Sequence, residues 1–327
     1  MELRFYSAGD VRRALPMAEA IEGMKAGFAQ LSAGRATIPL RVAIPVTEQD
    51  TTLIMPYHVP DDGGSLGLKL VSVFNSNVPR GIPLINSLVL ALDPQTGIPL
   101  ALIEGSSLTA IRTGAASGAA TDVLSRRDST VLAVIGTGVQ ARRQVEAVCT
   151  VRPIEQVRVF GRSSAEAFAA EMAGKGRIPD RIEVASSHKA AVTGSDIICT
   201  ATTSRTPVFN GRDVSPGTHI NGVGSFRPDM QEIDETTVRR ARVVVDSLEA
   251  ALVEAGDLII PLNAGRIDLD HISTELGQII NGSKPGRAGD EQITFFKSVG
   301  VSIQDALAAQ IILRNGPAMG LGTVVEL

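Results

Sequence analysis

Thr130-Val-Leu-Ala-Val-Ile-Gly136-Thr137-Gly138-Val139-Gln140-Ala141 is an apolar run that closes on G-x-G-x-x-A and leads straight into a segment with helical spacing. Each small residue has a task in a dinucleotide-binding bend. Gly136 takes the tight turn, Gly138 opens its backbone to a pyrophosphate, and Ala141 lets the helix pack closely on the strand. Val139 and Gln140 fall in the first helical turn, whose unpaired N–H groups favour an anion. Glycines at strand ends often serve turns alone, so context decides. Here a strand precedes, a helix follows, and a second strand ends about 20 residues later.

That second strand ends Val159-Phe160-Gly161-Arg162-Ser163. NAD-binding folds usually place an acidic side chain there for the ribose hydroxyls. No carboxylate is present; an arginine followed by a hydroxyl suits a ribose phosphate. The reading favours NADP(H), with NAD(H) also compatible with the bend. The alternative is a solvated Arg162 beside a helix-capping Ser163.

Outward from the bend, apolar strands alternate with helices at Val131–Ile135, Val157–Phe160, Ile182–Val184, Ile197–Thr200, His219–Val223 and Val243–Asp246. Such alternation predicts a parallel sheet with crossover helices. A last strand at Ile293–Lys297 precedes a helix near Ile303–Arg314, which is expected to return to the first domain. Upstream the period differs. The first 35 residues read as helix, with Ser7 and Asp10 as a capping box, Pro16 as a helix start and Gly34 as a stop. Short strands are expected near Arg41–Pro45, Leu53–Tyr57, Leu66–Phe74, Ser87–Leu92 and Leu100–Glu104, the last two joined through the Asp93–Gly97 turn as a hairpin. A helix from about Ser107 to Leu124 carries Gly114, Ala115, Ala116, Gly118, Ala119 and Ala120, so another element must approach it closely.

Composition narrows the function classes. The 327 residues are 44% hydrophobic and 20% charged, the balance of an ordinary globular chain of about two domains. A net charge of −4, 3% aromatic residues and no tryptophan supply neither the field nor the stacking surface for nucleic acid. Glu2, Arg4, Asp10, Arg12 and Arg13 interrupt the start, so no signal peptide is read and a cytoplasmic enzyme is expected. No apolar run approaches the roughly 20 residues that cross a bilayer. Cys149 and Cys199 stand alone in apolar contexts, as small buried side chains do. His58, His188, His219 and His271 lack the spacing that puts two ligands on one helical face, and no metal site is expected.

Lys69 lies inside Leu66-Gly-Leu-Lys69-Leu-Val-Ser-Val-Phe74, sharing a strand face with Val71 and Val73. A lysine there snorkels, pairs with a carboxylate, or faces a cavity that receives an anionic or acid–base partner. Arg41 follows Ile38-Pro39-Leu40, and Arg112 sits among small residues; either suits a routine salt bridge. Converging, the three cations would neutralise and orient a carboxylate.

The same residues carry a resemblance that spans essentially the whole chain. Arg41, Met55-Pro56, the Lys69 strand, Leu108-Thr-Ala-Ile-Arg112-Thr113-Gly-Ala-Ala, Val134-Ile-Gly-Thr-Gly-Val-Gln-Ala141, Asp196-Ile-Ile-Cys-Thr-Ala-Thr-Thr-Ser204, Asn221-Gly-Val-Gly224 and Phe296-Lys-Ser-Val-Gly300 together resemble the ornithine cyclodeaminase and μ-crystallin family. The resemblance implies a homodimer and an α/β fold. In it a Rossmann-type doubly wound parallel sheet, residues 114–303, is inserted into an α+β substrate-binding and dimerisation domain of residues 1–113 and 304–327. It further implies that Arg41, Lys69 and Arg112 hold the substrate, with Lys69 and Arg112 catalytic. Thr113, Thr200, Thr202, Val223 and Ser298 would line the nicotinamide side.

One departure bears on the reaction. Cyclodeaminases of this family carry an aspartate after the Asn221-Gly-Val-Gly224 stretch, whereas this chain reads Ser225-Phe226-Arg227-Pro228-Asp229, with Phe226 at the aligned position. The loop is more similar to the reductase branch, and a phenylalanine makes a less polar pocket, suited to a flat cyclic imine. The expectation is NAD(P)H-dependent reduction of a small α-imino acid such as pyrroline-2-carboxylate or piperideine-2-carboxylate. The alternatives are an amino-acid cyclodeaminase, an alanine- or aspartate-forming dehydrogenase, and a non-catalytic crystallin-like binding protein.

Overall fold

A computed structural model describes residues 2–60 and 64–326. The chain divides into two compact units, residues 1–112 with 301–327 and residues 113–300.

Among the described residues, the first unit holds a seven-stranded sheet in the order Thr323–Glu326, Glu2–Tyr6, Pro99–Glu104, Ile85–Leu92, Ser65–Phe74, Asp50–Val59 and Val42–Pro45. Neighbours run antiparallel except Glu2–Tyr6 with Pro99–Glu104. Alternation sends Val71, Val89, Ala101 and Ile103 to a buried face. The Ser302–Ala318 helix lies on that face and packs against the Met17–Ser32 helix. Gly27 permits the approach, because a Cβ there would stand 3.1 Å from Leu307 Cδ2. The opposite face leaves Val42, Ile44, Leu70 and Leu88 exposed.

The hairpin expected at Asp93–Gly97 is present. Asp93 Oδ1 accepts from the backbone of Gln95 and Thr96 at 2.8 and 2.9 Å, and Gly97 takes a φ of 73°. The start of the chain requires a correction. Residues Glu2–Tyr6 form a strand rather than the first turns of a helix. Leu3 and Tyr6 are buried by pairing with segments about a hundred and three hundred residues away, which no local pattern announces. The Ser7–Asp10 capping box opens the helix that does follow, Ala8–Ala14.

The second unit holds a sheet that is wholly parallel among the described residues. Its order is Arg242–Val245, Thr294–Lys297, His219–Gly222, Ile197–Thr200, Val131–Ile135, Gln156–Phe160 and Ile182–Val184. Counted along the chain from Val131 this is 3-2-1-4-5-7-6, a doubly wound sheet whose order reverses between Val131–Ile135 and Ile197–Thr200. Ligands of such sheets lie beyond the carboxyl ends of the strands at that switch point. No helix among the described residues is long and apolar enough to cross a membrane.

The small-residue helix spans Gly105–Leu124. A Cβ on Gly114 would stand 2.6 Å from the Arg143 carbonyl, so the Val139–Val151 helix is packed on it backbone to backbone. Gly114→Val is therefore expected to lower unfolding free energy by about 2 kcal/mol or more in chemical denaturation, through overpacking. A loss below about 0.5 kcal/mol would contradict the close helix contact.

Candidate active site

In the first unit the Ser65–Phe74 strand turns Gly67, Lys69 and Val71 to the covered side and leaves Leu70 40% exposed. Lys69 is 1% exposed, flanked across the sheet by the buried Met55 and Val89. An ammonium in such surroundings requires an ionic partner. Asp305, in the first turn of the Ser302–Ala318 helix, provides it, with Oδ2 2.7 Å from Lys69 Nζ. Its other oxygen lies 3.1 Å from Arg112 Nε. Arg112 also donates to Gln304 Oε1, which accepts from the Val301 backbone at 3.1 Å.

One buried carboxylate thus holds two buried cations. With Lys69 protonated, the Lys69–Asp305–Arg112 group carries one net positive charge. Burial, and then the charge of Arg112, push the Lys69 ammonium down to about 7 against the opposing pull of Asp305; Arg41 pushes it the same way. The half-buried Arg41, immediately before the Val42–Pro45 strand, is therefore within electrostatic reach of Lys69. The structure brings the three expected cations, Arg41, Lys69 and Arg112, into one electrostatic neighbourhood and shows Lys69 in the carboxylate-paired state.

Asp305 and Gln304 are absent from the sequence-derived site. An aspartate in the first turn of a helix ordinarily complements the helix dipole at the surface, and that commonplace conceals Asp305. The available signal was the run Ala306-Leu-Ala-Ala309 directly behind it, which marks a helix buried all round.

In the second unit the expected nucleotide residues, apart from Thr113 on the Gly105–Leu124 helix, lie at or just beyond the carboxyl ends of adjacent parallel strands. Gly136 has φ 113°, and a Cβ there would stand 2.5 Å from the Ala201 carbonyl, so only glycine makes this bend. Gly138 precedes the Val139–Val151 helix with no side-chain cap. A Cβ on Gly138 would meet no atom within 4 Å. Open space before uncapped helical N–H groups fits a pyrophosphate. Val139 is 65% exposed on that first turn, while Gln140 is half-buried with its Oε1 unpartnered. Arg162 and Ser163 are exposed beyond the second strand. Gly161 is tightly placed, since a Cβ there would stand 2.6 Å from Thr137 Cγ2.

Two of the expected nicotinamide-side hydroxyls are engaged inside the protein. Thr200 is fully buried and donates to Glu232 Oε2 at 3.0 Å. Ser298 donates to Asp246 Oδ2 at 2.8 Å, an oxygen that also takes the Val299 and Gly300 N–H groups. Burial pushes the Glu232 and Asp246 carboxyls up. Thr113 and Thr202 are half-buried, and Val223 is 9% exposed. Thr113 directly follows Arg112 on the Gly105–Leu124 helix. Phe226 is half-buried in the second unit. Asp229, the nearest carboxylate along that loop, is exposed and tied to Arg227 at 2.9 Å and Arg205 at 3.3 Å.

Residues 1–317 match the model of the ornithine cyclodeaminase/mu-crystallin family. The chain belongs to this family. Among family relatives, a Delta(1)-pyrroline-2-carboxylate reductase of Bacillus cereus is 42% identical over 322 residues, 98% of each chain. A solved structure of Thermococcus litoralis Delta(1)-pyrroline-2-carboxylate reductase, in complex with NADH and L-proline, is 43% identical. It covers 98% of this chain and 99% of its own, with a TM-score of 0.94. An archaeal alanine dehydrogenase dimer with bound NAD is 32% identical over 100% of both chains, with a TM-score of 0.92.

The Asp305 contacts generate a stability test. Asp305→Ala leaves two buried cations without their counter-charge and should cost about 3 to 5 kcal/mol of unfolding free energy in urea titrations. A cost under about 1 kcal/mol would show that Lys69 and Arg112 do not depend on it.

Proposed function

We propose that this chain is an NAD(P)H-dependent reductase of a small cyclic α-imino acid of the Δ1-pyrroline-2-carboxylate type, forming the L-amino acid. The observation that carries the reading is the buried Lys69–Asp305–Arg112 group, whose excess positive charge matches a carboxylate anion. Near-complete alignment with reductases of that substrate supports it. The loop at Phe226 supports reduction over cyclodeamination, because Asp229 is held at the surface by Arg205 and Arg227.

Arg41 and Arg112 orient the substrate carboxylate, and Arg112 is held in place by Asp305 and Gln304. Lys69 stands at the imine end. An ammonium brought down to about 7 exchanges its proton readily at neutral pH, the property needed beside an imine nitrogen. Phe226, in the second unit, supplies an apolar surface suited to a flat ring. Gly136, Gly138 and the first turn at Val139 and Gln140 hold the pyrophosphate, while Thr113, Thr202 and Val223 take the nicotinamide side. Thr200 and Ser298 serve that side from beneath, through Glu232 and Asp246. A reduced nicotinamide supplies hydride to the imine carbon.

Arg162 and Ser163 favour NADPH over NADH, since both are exposed where a ribose phosphate would lie and no acid ends that strand. The related structures hold NADH and NAD, so this preference rests on those two residues. The chain acts as a homodimer, supported by the dimeric archaeal dehydrogenase and by the uncovered apolar sheet face at Val42, Ile44, Leu70 and Leu88.

One assay separates the readings. NADPH and NADH oxidation is followed over a panel of cyclic and open-chain imino acids, with ammonia release from ornithine and lysine measured alongside. The expected result is stoichiometric nicotinamide oxidation on five- or six-membered cyclic imines. In Arg162→Ala, kcat/KM with NADPH should fall about tenfold while the value with NADH stays within about twofold. Ammonia release without net oxidation would overturn the reductase assignment, and unchanged nucleotide discrimination would overturn the phosphate role of Arg162.

A further inference from the structure

Beneath the carboxyl edge of the second unit's sheet lies a buried ionic group made of Glu232, Asp257 and Lys297, each 0% exposed. The hydrogen bonds described at the Glu232 carboxylate come from the last residue of the Ile197–Thr200 strand and from the loops that follow that strand and the His219–Gly222 strand. Oε1 accepts the Thr202 N–H at 2.6 Å, and Oε2 accepts the Gly224 N–H at 2.7 Å and the Thr200 hydroxyl at 3.0 Å. The Glu232 backbone is fixed in turn. Asp257 Oδ1 takes the N–H groups of Glu232 and Ile233 at 2.6 and 2.9 Å, and Asp257 Oδ2 lies 2.9 Å from Lys297 Nζ. Lys297 also reaches the Gly222 carbonyl at 3.3 Å.

Packing at this point leaves no slack. A Cβ on Gly224 would stand 2.2 Å from the Thr202 carbonyl and 2.6 Å from Glu232 Oε1. One on Gly256 would stand 2.0 Å from the Met230 carbonyl. With three described donors converging on it, the Glu232 carboxyl is suited to the anion. A neutral amide of the same size would set its NH2 group against an N–H donor. Burial opposes that charge, and so does the neighbouring Asp257; the Lys297 ammonium and the Thr202 hydrogen bonds favour it.

We propose that Glu232 is a positioning residue for nicotinamide binding, whose carboxylate locks the loops after the Ile197–Thr200 and His219–Gly222 strands into the arrangement that receives the nicotinamide half of the cofactor. This rests on the assignment of Thr202 and Val223 to the nicotinamide side. Glu232 itself touches no substrate; it acts through the Thr202 and Gly224 backbones.

The test uses the full-length chain with Glu232→Gln, and Thr200→Val as a milder variant that removes a single donor. Binding of NADH and of NADPH is read from nucleotide fluorescence, and amide hydrogen exchange is followed at Thr202, Gly224 and the sheet positions Val134 and Ile198. For Glu232→Gln the dissociation constants of both nucleotides should rise about tenfold or more. KM for the nucleotide should rise in parallel while kcat at saturation stays within about threefold. Exchange should quicken at Thr202 and Gly224 and not at Val134 or Ile198. Thr200→Val should show the same pattern at about threefold. Unchanged nucleotide affinity in either folded variant overturns the proposal, as does faster exchange spread evenly through the sheet. Absence of nucleotide binding by the unmodified chain would instead overturn the assignment on which the proposal rests.

Discussion

Asp305 is the constraint around which the first unit is organised. Two cations in an apolar interior repel each other and lose their hydration, and neither Lys69 nor Arg112 would be kept there without an opposing charge. Asp305 reaches both from the first turn of the Ser302–Ala318 helix, and that helix lies across the strand carrying Lys69. The arrangement leaves a positive excess rather than a neutral pair. On the proposed reading, that excess is what meets the substrate carboxylate.

The second unit solves a different problem with similar means. A doubly wound sheet must hold several loops at its carboxyl edge in fixed relation without side chains that fill the ligand's space. Gly138 leaves open space, Gly136 and Gly224 let neighbouring backbone approach closely, and buried acids supply the ties. Glu232 gathers the Thr202 and Gly224 backbones, and Asp246 gathers Ser298, Val299 and Gly300. Both acids accept N–H groups that otherwise would be left unsatisfied. The surface offered to a nucleotide is then largely backbone and small side chains, held from behind by charge.

Legibility in the sequence followed the range of the determining interaction. The bend at Gly136–Ala141 was readable because its demands are local: a left-handed turn, an open N-terminus, a small residue on the helix. The strands around Lys69 were readable because one covered face imposes a period of two. The strand at Glu2–Tyr6 was missed because both its partners lie far along the chain, and the capping box at Ser7 drew the pattern towards helix. The resemblance supplied Arg41, Lys69 and Arg112 as a set. The carboxylate that unites two of them was hidden, since an aspartate at a helix start has a common surface explanation. Thr200 and Ser298 illustrate the same limit: the resemblance implies a place on the nicotinamide side, but only the fold shows their hydroxyls turned inward to Glu232 and Asp246.

The central claim is that the group held by Asp305 is a receptor for a carboxylate, with Lys69 free to change its proton. Calorimetric titration of pyrrole-2-carboxylate into the nucleotide-loaded enzyme at about pH 8, in buffers of different ionisation enthalpy, measures this directly. Above its depressed pKa of about 7 Lys69 is largely neutral, and an arriving carboxylate raises that pKa, so binding should take up a fraction of a proton approaching one. The uptake should vanish in Lys69→Met. A heat independent of buffer, or an uptake that survives in Lys69→Met, would contradict the account.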